Sequence, residues 1–221
     1  MRIGVIAALE EEGDAFFHGR GEAGQCGNLP VRRLHESGHQ LTVAVPGIGK
    51  VNAAMAATLL AVVERATLLL VIGSAGKLSA RAGGCFWIDS AVQHDYAAER
   101  SSGFEHYTAG SWPIGPATMV PFRAVADPGL GLPHARVASG DAFIECPDHA
   151  RFLSEGLSAD LVEMETAAVA QVADRFGISW AGVRAVSDGA NGESVGDFQS
   201  NLRRAARDAG DAAERLVQLL P

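Results

Sequence analysis

Short aliphatic and β-branched runs at positions 3–9, 41–45, 68–72, 86–92, 160–164 and 178–187 alternate with alanine-rich stretches of helical character. Runs this short that stay apolar on both faces predict buried strands covered by helices. That is the pattern of an α/β fold with a mostly parallel sheet. Helices are predicted over 52–63 and 165–176, with a final amphipathic helix over 198–220. In the second of these, Met164, Ala168, Val172 and Phe176 recur every fourth residue and form the stripe expected to pack on the sheet. With 221 residues, 48% of them hydrophobic, the chain is expected to bury one core as a single domain spanning residues 1–221. No internal repeat, low-complexity tract or linker interrupts it.

The charge balance narrows the partners. Acidic residues outnumber basic ones 26 to 18, for a net charge of −8. A nucleic-acid groove needs clustered Lys and Arg, so the expected partner is a small molecule. Cys26, Cys85 and Cys146 are odd in number and widely spaced. This pattern points to neither a disulfide framework nor a zinc knuckle, and a reducing cytoplasm fits it. The apolar opening runs straight into Glu10, Glu11 and Glu12, unlike a secretory signal, and no apolar run approaches the ~20 residues of a membrane span.

The unusual residues follow the strands. Glu10 to Glu12, Gly47 to Lys50, Gly73 to Gly76, Glu163 to Glu165, and Ser187 with Asp188 each close an apolar run. Open α/β sheets bind ligands outside the carboxyl ends of their strands, so five such ends on one edge would assemble one pocket. Each piece has a plain structural alternative. Glu10 to Glu12 also suit the acidic first turn of a helix, and both glycine segments suit tight strand-to-helix turns. The polar stretch 94–115 lacks periodicity and reads as a lid or interface loop. Its His94 and His106 read as surface histidines.

Spacing excludes the common phosphate loops. Reading back from Gly49-Lys50, a Walker A motif would need Gly at 44 and Ser or Thr at 51, where this chain has Ala and Val. From Gly76-Lys77 the same positions hold Val71 and Leu78. A dinucleotide fingerprint fails because Asn52 stands where its third glycine belongs.

Six blocks carry a family resemblance: positions 1–12 (MRIGVIAALEEE), 47–54 (GIGKVNAA), 73–76 (GSAG), 139–144 (SGDAFI), 162–165 (VEME) and 183–188 (VRAVSD). In this order and spacing the chain resembles the bacterial 5′-methylthioadenosine/S-adenosylhomocysteine nucleosidases. The resemblance implies a nucleoside-phosphorylase-like α/β fold with a mixed central sheet flanked by helices, usually a homodimer in the cytoplasm. It implies no cofactor and no metal, and a place in nucleoside catabolism and methionine salvage. The implied reaction is hydrolysis of the bond between adenine and a 5′-modified ribose.

Breaking that bond demands a proton for the departing base and stabilisation of a ribosyl cation. By resemblance, Asp188 donates to adenine N7, and burial at the end of an apolar strand favours its holding the proton. Glu165 accepts from the ribose hydroxyls with Glu163 and the Met164 backbone alongside. Glu12 polarises the attacking water, helped by Ser74 and Arg184. Phe143 stacks on adenine, the Ile144 backbone reads its edge and Phe198 closes over it. Ile48 and Met164 wall the ribose or its 5′-group, while Ala75, Gly76 and Ser187 complete the substrate contacts.

Two alternatives remain at this level: a phosphate-dependent purine nucleoside phosphorylase, and a non-catalytic adenosine-analogue sensor. Phosphate needs fixed cations; three glutamates crowd the first strand end, and no Arg adjoins positions 73–76 along the chain. A sensor needs neither a water activator nor a leaving-group acid. Departures from the family pattern fall at Lys77, at Ala82-Gly83-Gly84, at Tyr96-Ala97 and over 100–115, the region that in the family helps enclose the sugar's 5′-group, partly across the dimer interface.

Overall fold

The computed structural model describes residues 1–79, 84–101 and 103–221, so Ala82 and Gly83 lie outside the described residues. In chain order the elements are β1 (Arg2–Ala7), α1 (Glu10–Phe17), β2 (Glu22–Cys26), β3 (Leu29–Glu36), β4 (His39–Ala44), α2 (Lys50–Val62), β5 (Leu68–Lys77) and β6 (Cys85–Gln93). There follow β7 (Ala97–Arg100), β8 (Gly103–His106), β9 (Phe122–Arg123), β10 (His134–Ser139), α3 (Pro147–Leu157), β11 (Leu161–Glu163), α4 (Thr166–Phe176), β12 (Ser179–Asp188) and α5 (Ser194–Leu219).

One sheet runs β11-β10-β6-β12-β5-β1-β4-β3-β2, with β9 on β6 and a separate β7–β8 hairpin. Half of its pairings are parallel, among them β1 with β4 and β5, and β5 with β12. The other half are antiparallel, so the sheet is mixed where the aliphatic runs predict a mostly parallel one. The excess comes from the β2–β3 hairpin and from strands that change partner partway. Strand β5 pairs with β1 over 68–72 and with β11 at its end, and β6 pairs with β12 and then with β9; β11 also pairs with β10, and β12 with β5 along its length. Strands β11, β10, β6, β12 and β5 thereby close on themselves. Closure removes sheet edges and brings several strand ends round a common centre.

Both faces are covered, which is why the central strands read as unbroken apolar runs. Ala53, Ala56, Ala57 and Leu60 of α2 pack with Ala167, Ala170 and Ala173 of α4 on one face. Phe16 and Phe17 of α1 pack with Ala212, Ala213, Leu216 and Val217 of α5 on the other.

Several expectations are corrected here. The every-fourth-residue stripe in α4 is only part of its buried face: Ala168 is buried and Val172 packs against the core, but Phe176 is 47% exposed, while Ala167, Val169, Ala170 and Ala173 are also buried. Small side chains let α4 approach α2 and the sheet closely, and a large aromatic would hold them apart. Gly73 to Gly76 is no loop, because β5 continues through it to Lys77, paired with β12 and β11. The stretch 94–115 holds a hairpin. His94 is buried, not superficial.

Candidate active site

Five elements, α1, β5, β11, β12 and α5, and the segments that join them deliver side chains to one cavity of about 430 Å³, the size range of small-molecule ligand sites. One wall is polar and is formed by Glu12, Ser74, Glu163, Glu165, Arg184, Ser187 and Asp188. The other is apolar, with Leu9, Ile48, Phe143, Val162, Met164 and Phe198 prominent.

Glu12 satisfies both readings of its sequence position. It stands in the first turn of α1, and its Oε2 accepts from the amides of Ala8 (3.1 Å) and Leu9 (3.2 Å), capping the helix. Its Oε1 crosses to β5 and accepts from the Ser74 amide and Ser74 Oγ, each at 2.8 Å. Gly73 makes the crossing possible. A Cβ there would lie 2.7 Å from the Glu12 carboxyl carbon and 2.6 Å from Arg184 Nη1, and the backbone φ of +146° is itself one that glycine favours.

The Glu163–Glu165 segment is a helix entry built on carboxylates. The amides of Glu165 (3.0 Å) and Thr166 (2.9 Å) donate to Glu163 Oε2, and Thr166 Oγ1 does so at 2.8 Å. Ser139 Oγ and Arg184 Nη2 also donate to Glu163. A negative group against free helix amides is favourable. Glu163 is thus spent on holding α4, Arg184 and β10 together, and few of its lone pairs remain for a ligand. Glu165 Oε1 accepts from the Gly49 amide at 2.9 Å, and its Oε2 lies 3.3 Å from Arg184 Nη2. Burial, then the charge on Glu163, pushes the Glu165 carboxyl up to about 7 against the opposing pull of Arg184 and the Gly49 amide.

Arg184 is 1% exposed. Besides the two glutamates it donates to Thr166 Oγ1 and, from Nη1, to the Ser74 carbonyl at 3.3 Å. An arginine therefore does adjoin the 73–76 segment in space, contrary to the reading along the chain, and its charge is taken up by Glu163 and Glu165.

Asp188 ends β12 at a register shift against β5, where Val186 pairs with Ala75 and Asp188 with Gly76. The inserted Ser187 breaks the strand alternation, so consecutive Ser187 and Asp188 both reach the cavity. Asp188 Oδ1 accepts from the Ala190 amide (2.9 Å) and Oδ2 lies 2.9 Å from Ser187 Oγ. Ser187 Oγ is also 3.3 Å from the Ala75 carbonyl. When that hydroxyl donates to Ala75, its oxygen is free to accept a hydrogen bond from the Asp188 side chain.

The apolar wall closes over this floor. The rings of Phe143 and Phe198 meet edge to face, 5.9 Å between centroids. Of the fourteen residues singled out in the sequence, thirteen line the cavity. Ile144 turns its side chain into the core beside Val92 and Leu153; the expectation for it concerns its backbone. Ala8, Leu9, Val162, Val195 and Gln199 also line the cavity and escaped sequence reading, since nothing in their type distinguishes them from ordinary packing residues.

Comparison with known proteins follows the same lines. The profile of the phosphorylase superfamily matches residues 2–218. The 5′-methylthioadenosine/S-adenosylhomocysteine nucleosidase of Staphylococcus aureus (strain MRSA252) is 30% identical over 231 residues, covering 99% of this chain and 100% of that protein. The nucleosidase of the same name from S. pneumoniae, solved with the transition-state inhibitor MT-ImmA, superposes with a TM-score of 0.88 at 25% identity, covering all of both chains. The native futalosine hydrolase of Helicobacter pylori shares the fold, with a TM-score of 0.86 at 24% identity over 100% of this chain and 98% of that one.

Proposed function

The chain belongs to the phosphorylase superfamily, and we propose that it is a nucleosidase of that family, hydrolysing the N-glycosidic bond of 5′-methylthioadenosine and S-adenosylhomocysteine to release adenine. The observation that carries this reading is the convergence of three buried carboxylates, Glu12, Glu165 and Asp188, beneath one aromatic roof. The whole chain, residues 1–221, serves as one catalytic unit.

Each carboxylate has a distinct task. Asp188 gives its proton to adenine N7 as the C1′–N9 bond breaks and its electron pair leaves with the base. Glu165 accepts from the ribose hydroxyls and sets negative charge near the cation-like sugar. Water then bonds to C1′ and yields a proton to Glu12. The four lone-pair sites of Glu12 are all met by donors, and of these only the Ser74 hydroxyl can rotate. Turning it opens one Oε1 position for the water. Arg184 holds Glu163 and Glu165 in place and offsets their charge; it is not a free anion site. That favours water over phosphate, because an incoming phosphate would meet Glu12 and no uncommitted cation of this wall.

The decisive assay follows adenine and sugar release from 5′-methylthioadenosine, S-adenosylhomocysteine and futalosine-type nucleosides with and without phosphate. Free reducing sugar in phosphate-free buffer is expected. Strict phosphate dependence with ribose 1-phosphate as product would overturn hydrolysis, and tight binding without turnover would make the protein a sensor.

The working form of Glu165 is the carboxylate, and its carboxyl stands at about 7. The rate constant kcat/KM is therefore expected to fall about tenfold per pH unit below that value, as acidification fills the site. A flat profile between about pH 5 and 8 would remove Glu165 from this role.

A homodimer is also proposed. Val51, Met55 and Val62 of α2 and Phe176 of α4 are exposed apolar side chains on two helices that pack together, and Val51 and Phe176 line one open groove, a composition that suits a subunit contact. Light scattering at the mass of a single chain would reject it.

A further inference from the structure

Lys50 is the first residue of α2, whose first turn holds no acidic residue. A cation at a helix N-terminus opposes the helix dipole, so local preference does not explain this lysine. Its tertiary contacts do. The Lys50 amide donates to Asp141 Oδ1 at 2.8 Å, and its Nζ donates to Asp95 Oδ1 at 2.6 Å and to Gln93 Oε1 at 3.1 Å. Asp95 Oδ2 in turn accepts from the Asp141 amide at 3.0 Å. The Lys50 side chain is only 19% exposed, so the pair with Asp95 is partly shielded from solvent.

These bonds join two segments that no strand pairing connects. On one side lie Ile48 and Gly49, the latter donating its amide to Glu165. On the other lies the segment from Asp141 to Phe143. Gln93 continues the chain of contacts to Gln171 of α4, the helix that Glu165 caps.

We propose that Lys50 and Asp95 form a clamp that holds the Gly49 amide on Glu165 and the Phe143 segment over the cavity, making Lys50 a positioning residue of the active site. The claim rests on the nucleosidase reading for its kinetic consequence, but not for its structural one. Burial pushes the Asp95 carboxyl up, yet the Lys50 ammonium and the Asp141 amide outweigh it and hold Asp95 below the usual carboxylate range. Asp95 therefore stays charged near neutral pH.

Glu165 faces Arg184 from β12, Glu163 from β11 and Glu12 from α1, together with the Gly49 amide. The amide favours the charged carboxylate. Loosening the clamp withdraws that donor while leaving the three charged neighbours in place, so Glu165 should bind its proton more tightly.

The test is a carbon-13 NMR titration of the Glu165 carboxyl, identified by its loss in Glu165→Gln, in the wild type, Lys50→Met and Lys50→Arg. The midpoint is expected to rise by about 0.5 to 1 pH unit in Lys50→Met and to return towards the wild-type value in Lys50→Arg. Alongside this, KM should rise about tenfold with a smaller change in kcat, and the acidic limb of kcat/KM should move with the midpoint. A Lys50→Met midpoint within about 0.2 unit of the wild type would overturn the clamp. Should Lys50→Met not fold, the near-isosteric Asp95→Asn is read by the same criterion. A wild-type protein that releases no adenine would defeat the nucleosidase reading, while the titration would still decide the clamp.

Discussion

Asp188→Asn is expected to lower kcat by about 10²- to 10⁴-fold, the usual contribution of a positioned general acid, while KM moves by less than about threefold. At the middle of that range the loss is about 4 kcal/mol of transition-state stabilisation. The hydrogen bonds explain why binding and folding should survive. An asparagine oxygen can still accept from the Ala190 amide. Its NH₂ can donate to Ser187 Oγ while that hydroxyl donates to the Ala75 carbonyl. Every partner remains satisfied, and the close approach of Gly76, where a Cβ would lie 2.9 Å from Asp188 Oδ1, is unchanged. What asparagine lacks is a proton that it can release to a departing base. Steady-state assays with adenine detection, paired with calorimetric binding of adenine, read the two effects separately. A variant retaining more than about a tenth of wild-type kcat would take Asp188 out of the acid role.

For Glu12→Gln the expected loss of turnover is of similar size, about 10²- to 10⁴-fold, but here stability should fall as well. Both oxygens of Glu12 face donors: the Ala8 and Leu9 amides on one side, Ser74 on the other. Whichever way the amide is turned, its NH₂ meets an N–H group at close range. Loss of the helix cap and an unmet buried donor together cost about 1–3 kcal/mol. The variant should melt several degrees lower, and added products should not restore its activity. A Glu12→Gln protein that turns over normally would mean that water is activated elsewhere.

The apolar runs predict the central strands because β1, β5 and β12 are buried on both faces, whereas their order in the sheet comes from the fold. The β2–β3 hairpin escaped because its strands alternate buried and exposed residues over a short span with few aliphatics. The α4 stripe marks Ala168 and Val172 but overstates Phe176, because alanine carries little hydrophobic signal yet is the residue that permits close helix packing. His94 looked superficial in a polar stretch, but the end of β6 carries it under the backbone of Gly140. Glu163 lines the cavity as its position predicts, and spacing does not reveal that its oxygens are largely occupied by the first turn of α4, Ser139 and Arg184.

The amino-acid sequence by itself determined which residues gather at the cavity: carboxylates and glycines placed at the ends of apolar runs mark a cleft, because strand ends are where an α/β sheet leaves polar groups uncovered. Tertiary structure alone decided how those groups share the work. Glu12, Glu163, Glu165 and Arg184 are scattered across 173 positions of chain numbering, from 12 to 184. Closure of β11, β10, β6, β12 and β5 brings Glu163, Glu165 and Arg184 within hydrogen-bonding distance, and the pairing of β1 with β5 sets Glu12 on Ser74. Hydrogen-bond capacity is finite and short-ranged, so which carboxylate is consumed in holding the site and which stays open to the substrate follows from distances of about 3 Å that no spacing along the chain encodes.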